Sequence, residues 1–133
     1  MLTPGTHGST FGGNPLAAAA ALAVLRTLDD EGLLANSERM GKHLIDGLNA
    51  LSVKHPHAAV RGQGRGLLCG LVLTDGVDPR GVLNAMRERG VLVSQAGDRV
   101  IRFAPPLIVK AEELDAGLAA LDAVLADPPR VPR

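Results

Sequence analysis

The apolar positions of this chain change period several times, and each change marks an element. Residues 15–28, PLAAAAALAVLRTL, are apolar almost without interruption. Asn14 can cap a helix and Pro15 suits its first position, so the pattern predicts a helix from Pro15 to about Asp30. A helix that is apolar nearly all round is expected to be buried on more than one side. Gly32 breaks it. Asn36 or Ser37 is then expected to open a second helix, with Met40, Leu44, Leu48 and Leu51 on one stripe at helical spacing. Pro56 ends that region. Ala59-Val60-Arg61 reads as a short strand leading into a glycine-rich bend, Gly62 to Gly66. Leu67 to Thr74 reads as a second strand, apolar on both faces around Gly70. Asp75-Gly76 is a turn signal.

Asp78 and Pro79 predict the start of a third helix, with Val82, Leu83 and Met86 facing inward and Gly90 ending it. Val91 to Ser94 and Val100 to Phe103 read as two short strands, joined as a hairpin near Ala96-Gly97-Asp98. Pro105-Pro106 ends the second of them. A last helix is expected from about Lys110 to Leu125, with Leu114, Leu118, Leu121 and Leu125 on one stripe. Pro128, Pro129 and Pro132 then read as a frayed tail. Short strands between crossing helices predict a two-layer α+β domain with a mainly antiparallel sheet.

Composition narrows the function classes. The chain has 133 residues, enough for one modest core. Fourteen basic residues balance fourteen acidic ones, which disfavours nucleic acid or an anionic membrane as the main partner. Phe11 and Phe103 are the only aromatic residues, too few for an aromatic-anchored interface or a base-stacking platform. A single cysteine, Cys69, excludes an internal disulfide and a cysteine-based zinc cage, and fits a reducing cytoplasm. The apolar run from Pro15 falls short of the roughly 20 residues of a transmembrane helix, and no basic leader is visible. A soluble, cytoplasmic protein is expected.

Few residues offer chemistry. The loop His7-Gly8-Ser9-Thr10-Phe11-Gly12-Gly13-Asn14-Pro15 combines adjacent hydroxyls with glycines that permit close backbone approach, an arrangement that can hold a phosphate. No Gly-Lys-Ser/Thr follows, so it is not a P-loop, and a plain glycine-rich linker is the alternative. Gly62 to Gly66 imitates a dinucleotide fingerprint, but an apolar strand follows where that motif requires a helix. Arg102 interrupts the apolar strand Val100 to Phe103. It either faces solvent or binds a carboxylate with its planar fork. His55-Pro56-His57 has no acidic cluster near it in sequence and reads as solvated loop. Cys69 reads as a small buried hydrophobe. Lys42, Lys54 and Lys110 fall on surface positions, where nothing would depress a lysine pKa for Schiff-base chemistry.

Taken together, three of these segments resemble class III aminotransferases, which depend on pyridoxal 5'-phosphate. They are the His7–Pro15 loop with its alanine-rich helix, the Val60–Leu68 stretch, and Ile101-Arg102-Phe103-Ala104-Pro105-Pro106-Leu107. They occur in the family's order and cover almost the whole chain. The resemblance implies the C-terminal small domain of a fold-type I enzyme. Residues 1–14 would form a cofactor-phosphate and interface loop, 15–32 a connecting helix, 33–127 the small α+β domain and 128–133 a proline-rich tail. It implies that Thr10 binds the cofactor phosphate across a homodimer interface, that Ser9 contacts substrate, and that Arg102 pairs with the substrate α-carboxylate. The family's Schiff-base lysine has no counterpart in the matched stretch, so the chain reads as a truncated piece, inactive alone, with no catalytic residue of its own.

Within the class the pattern looks most like the enzymes that pass the amino group of N2-acetylornithine to 2-oxoglutarate in arginine biosynthesis. Enzymes acting on ornithine, succinylornithine or 4-aminobutyrate share much of it. A non-catalytic carboxylate-binding or self-associating module is the reading from a different class.

Overall fold

The first helix, α1, forms at Pro15–Asp30 because its two ends are chemically fixed. Asn14 Oδ1 accepts the Ala17 amide at 2.9 Å and Pro15 takes the first helical position. At the other end Gly32 adopts φ +63°, and its amide bonds back to Asp29 O at 3.1 Å. The computed structural model describes Thr3, Gly5 and residues 8–131; His7 and Pro132, named above, lie outside them. Two compact units are formed, Met1–Leu34 and Ala35–Arg133. In the first unit α1 has no buried residue, and Leu16, Leu22, Val24 and Leu25 are all exposed. The expected burial on several sides is not found: the helix has the pattern of a buried element, but the described residues of its unit supply no second layer to cover it.

Helix α2 runs from Leu33 to Lys54, three or four residues ahead of the expected start. Asn36 does not cap it. Its side-chain amide instead donates to Leu107 O at 2.7 Å and Val109 O at 3.1 Å. A residue with strong capping chemistry was used for a long-range contact, pinning the segment before the last helix. Met40, Leu44, Leu48 and Leu51 line the buried face as the stripe predicts.

The sheet has four strands, β1 Ala59–Arg65, β2 Leu68–Leu73, β3 Ser94–Ala96 and β4 Val100–Phe103. Their order is β1-β2-β4-β3 and every pairing is antiparallel. The fold is α+β, as expected. The glycines of 62–66 are not a bend leading into a strand: β1 runs through them and turns at Gly66, φ +53°, into β2. Arg65 pairs with Leu68, so the loop is the two-residue hairpin that favours glycine at its first position. Strand β3 lies later than expected. Val91 follows directly on the end of helix α3, Pro79–Glu88, where its amide bonds to Met86 O at 3.0 Å. Gly90, φ +79°, bonds to Arg87 O, completing a Schellman cap that withholds this stretch from the ladder.

The helices cover one face of the sheet. Leu44 and Leu48 of α2, Val82 and Met86 of α3, and Leu121 and Leu125 of α4 (Ala111–Ala126) pack with Leu71, Leu73 and Ile101 in one core. Helix α2 reaches this position through Gly41. A Cβ there would lie 2.2 Å from Gly66 O, so the helix rests directly on the hairpin backbone. The C-terminal segment is docked rather than frayed. Asp78 N donates to Pro129 O at 2.8 Å and Val131 N to Gly76 O at 3.0 Å.

His55 also departs from expectation. It is buried, and its Nε2 donates to Asp122 Oδ1 at 2.6 Å, while Lys54 Nζ reaches Asp122 Oδ2 at 2.6 Å. The acidic partner comes from α4, 67 residues away, where no local pattern shows it. The His55 hydrogen bond first, and then Lys54, hold the Asp122 carboxyl below the usual carboxylate range.

Gly41→Ala forces backbone apart and is expected to cost about 1–3 kcal/mol. Gly47→Ala meets only the mobile end of Leu118 and costs less, as paired urea titrations would show. Because the Asp122 pKa is depressed in the folded state, its contribution is fully present above about pH 4 and is lost as pH falls through the folded value. Asp122→Asn should therefore lower Tm near pH 7, with the deficit shrinking on acidification towards pH 3.

Candidate functional site

The first unit presents the hydroxyl loop. Asn14 organises it from both sides, donating from Nδ2 to Phe11 O at 2.5 Å while its Oδ1 caps α1. The turn at Gly12-Gly13 folds back so closely that a Cβ on Gly12 would lie 2.9 Å from Ser9 Oγ. Gly13 takes φ +77°, open to glycine at little cost. Ser9 and Thr10 are exposed, and neither hydroxyl has a partner among the described residues. In sequence they stand just ahead of the α1 N-terminus, whose helix dipole favours an anion. This donor set fits a phosphate ester.

The second unit presents Arg102. Burial of Ile101 and Phe103 on the helix-covered face turns Arg102 to the other face, where it is exposed. Its Nε donates to Ser94 Oγ at 3.0 Å. No carboxylate pairs with it, and its two terminal nitrogens have no partner among the described residues. The register aligns four residues across the whole sheet on this face: Gln63 opposite Gly70, Gly70 opposite Arg102, and Arg102 opposite Ser94. Val100 leans over Gly70 beside the arginine, and a cavity of about 240 Å³ is bounded by Gln63, Leu68, Gly70, Val100 and Arg102. Arg61 and Arg65 project from β1 on the same face, and no acidic residue of the four strands accompanies them.

A larger cavity, about 330 Å³, lies among Val91, Leu92, Phe103, Pro105 and Leu114. Its one charged group, Glu113, accepts from the Lys110 amide at 2.8 Å, and a carboxylate repels an anion. Cys69 is buried beneath the sheet, with Sγ 3.1 Å from Gly66 O, and burial pushes its thiol pKa up. That is the environment of an inert thiol rather than a nucleophile. Lys42 pairs with Asp46 and Lys54 with Asp122, both largely exposed, while Lys110 stands exposed at the start of α4. None has the desolvated setting that activates an amine.

Ser9 and Thr10 belong to the first unit and Arg102 to the second. Ser94 and Gly70 were not singled out by the sequence. The sequence places the turn near Ala96-Gly97-Asp98 without fixing its register, and the ladder sets residue 94 opposite residue 102.

Hydroxyl and guanidinium donors that face solvent are groups able to bind anions. The chain is a member of the class-III aminotransferases, whose family model matches residues 1–125. Acetylornithine aminotransferase of Mycobacterium bovis is 50% identical over 128 residues, 94% of this chain and 30% of the relative. Ornithine aminotransferase of an Exiguobacterium species is 43% identical over 127 residues, 95% of this chain and 30% of the relative. Among solved structures, acetylornithine aminotransferase from Elizabethkingia anophelis matches with TM-score 0.82 at 32% identity, over 95% of this chain and 32% of that one. Ornithine aminotransferase from Plasmodium yoelii matches with TM-score 0.84 at 30% identity, over 94% and 33%. The chain thus spans about 30% of the length of the curated relatives it matches.

Proposed function

We propose that this chain supplies the phosphate-binding loop and the carboxylate-binding domain of an aminotransferase that moves the amino group of N2-acetylornithine to 2-oxoglutarate. The observation that carries this reading is Arg102, an exposed guanidinium with two free terminal nitrogens on a sheet face without acid. It is suited to a bidentate grip on a carboxylate, which amino donor and oxo acid acceptor both possess. The Thr10 hydroxyl and nearby amides would hold the phosphate of pyridoxal 5'-phosphate, and Ser9 would touch substrate beside it. When bound, that cofactor supplies the electron sink that transamination needs. The residues of this chain bind and orient. A 50% identical relative named for acetylornithine supports that donor, and the 43% identical ornithine enzyme marks the neighbouring choice.

The exposed apolar surface of α1 supports an assembled state. Leu16, Leu22, Val24 and Leu25 would be covered in a homodimer in which the Thr10 loop reaches the neighbouring subunit's site. The same surface favours a second reading, in which the chain alone self-associates without catalysis.

The test is a chimera. The matching stretch of the Mycobacterium bovis enzyme is replaced by this chain and assayed with N2-acetylornithine and 2-oxoglutarate. Turnover is expected there and none from the purified 133-residue chain with added cofactor; turnover by the chain alone would overturn the division of labour. In the chimera, Arg102→Ala should raise KM for donor and acceptor alike, by the roughly 1.5–3 kcal/mol of a charge-assisted pair. Thr10→Ala should lower cofactor content after dialysis, read from visible absorbance. Equal content in mutant and parent would remove Thr10 from the phosphate site.

A further inference from the structure

The geometry points to Ser94 as the positioning residue of the carboxylate site, a role that rests on the reading of Arg102 just given. An arginine side chain on an open sheet face has four rotatable bonds, and ordering it costs entropy that weakens whatever it binds. Here one contact removes much of that freedom. The Ser94 hydroxyl accepts from Arg102 Nε at 3.0 Å, from the residue directly opposite on the adjacent edge strand. Nε is the one guanidinium nitrogen whose capture fixes the plane of the fork while leaving both terminal nitrogens for a ligand.

The neighbours suit this division. On the other side of Arg102, Gly70 is directly opposite and contributes no side chain. A Cβ there would lie 2.6 Å from Val100 Cγ1, because the Val100 methyl leans over this buried position and only glycine fits beneath it. Beyond it, Gln63 completes the row, with its Oε1 accepting from Arg61 Nη2 at 3.1 Å. Arg102 is therefore held from the β3 side and borders the cavity of about 240 Å³ that Gln63, Leu68, Ala96 and Val100 also line. Ser94 sets the aim of the fork; Arg102 makes the contact.

The test uses the 133-residue chain and glutarate as the dicarboxylate probe. The Nε–H resonance of Arg102 is assigned by its loss in Arg102→Lys. In the wild type this proton should exchange slowly with water, and the resonance should move on titration with glutarate. Ser94→Ala should speed the exchange and weaken glutarate binding about 2- to 10-fold, the worth of one hydrogen bond. Ser94→Thr keeps the hydroxyl and should restore both. Ser94→Val keeps the strand propensity of threonine without its hydroxyl and should bind glutarate as weakly as Ser94→Ala, which a merely loosened edge strand would not do. If Ser94→Ala binds glutarate as the wild type does, Ser94 has no positioning role and Arg102 keeps its assignment. If glutarate leaves wild-type Arg102 unmoved, the carboxylate reading of Arg102 fails and the role of Ser94 falls with it.

Discussion

The burial of Ile101 and Phe103 governs the chemistry of the second unit. A strand has a side-chain period of two, so placing these residues against the helices turns Arg102 to the opposite face. A slip of one residue would put a guanidinium in the core without a partner, at a cost no other contact in this small domain could offset. The same alternation on β2 buries Cys69, Leu71 and Leu73 and leaves Gly70 beside Arg102. The outer face is thus specified by the inner one. The hairpin around Gly97, φ +61°, then brings Ser94 opposite Arg102.

Close backbone approach is the second device. Helix α2 can lie on the β1–β2 turn because both Gly41 and Gly66 lack side chains at the crossing. This contact places Leu44 and Leu48 over the sheet and shields the Cys69 thiol below the turn. At the far end of α2, His55 and Lys54 share the carboxylate of Asp122 and tie the helix to α4. Both ends of α2 are therefore fixed by contacts distant in sequence, one steric and one electrostatic.

The first unit is different in kind. Its helix has well-formed ends but no buried residue, and its loop holds two hydroxyls without partners among the described residues. Local chemistry suffices to build both, since caps and glycine turns are short-range. The stability of α1 in an assembled enzyme would come from surfaces that pack on its apolar residues, because isolated helices of this length are marginal in water.

The sequence by itself determined what depends on neighbours in the chain. Helix α1 and its Asn14 cap, the start of α3 at Asp78-Pro79, the hairpin turn near Gly97 and the stripe of α2 are all set within a few residues. The motif segments of the family were equally local. The tertiary structure decided what depends on residues far apart. It drew Asn36 away from capping to bind Leu107 and Val109, buried His55 against Asp122, docked the tail on Gly76 and Asp78, and left α1 uncovered. It also aligned Gln63, Gly70, Arg102 and Ser94, a row assembled from four strands that only the ladder's register can bring together. Local pattern records which way a side chain is disposed to point; its partner across space depends on how the layers close.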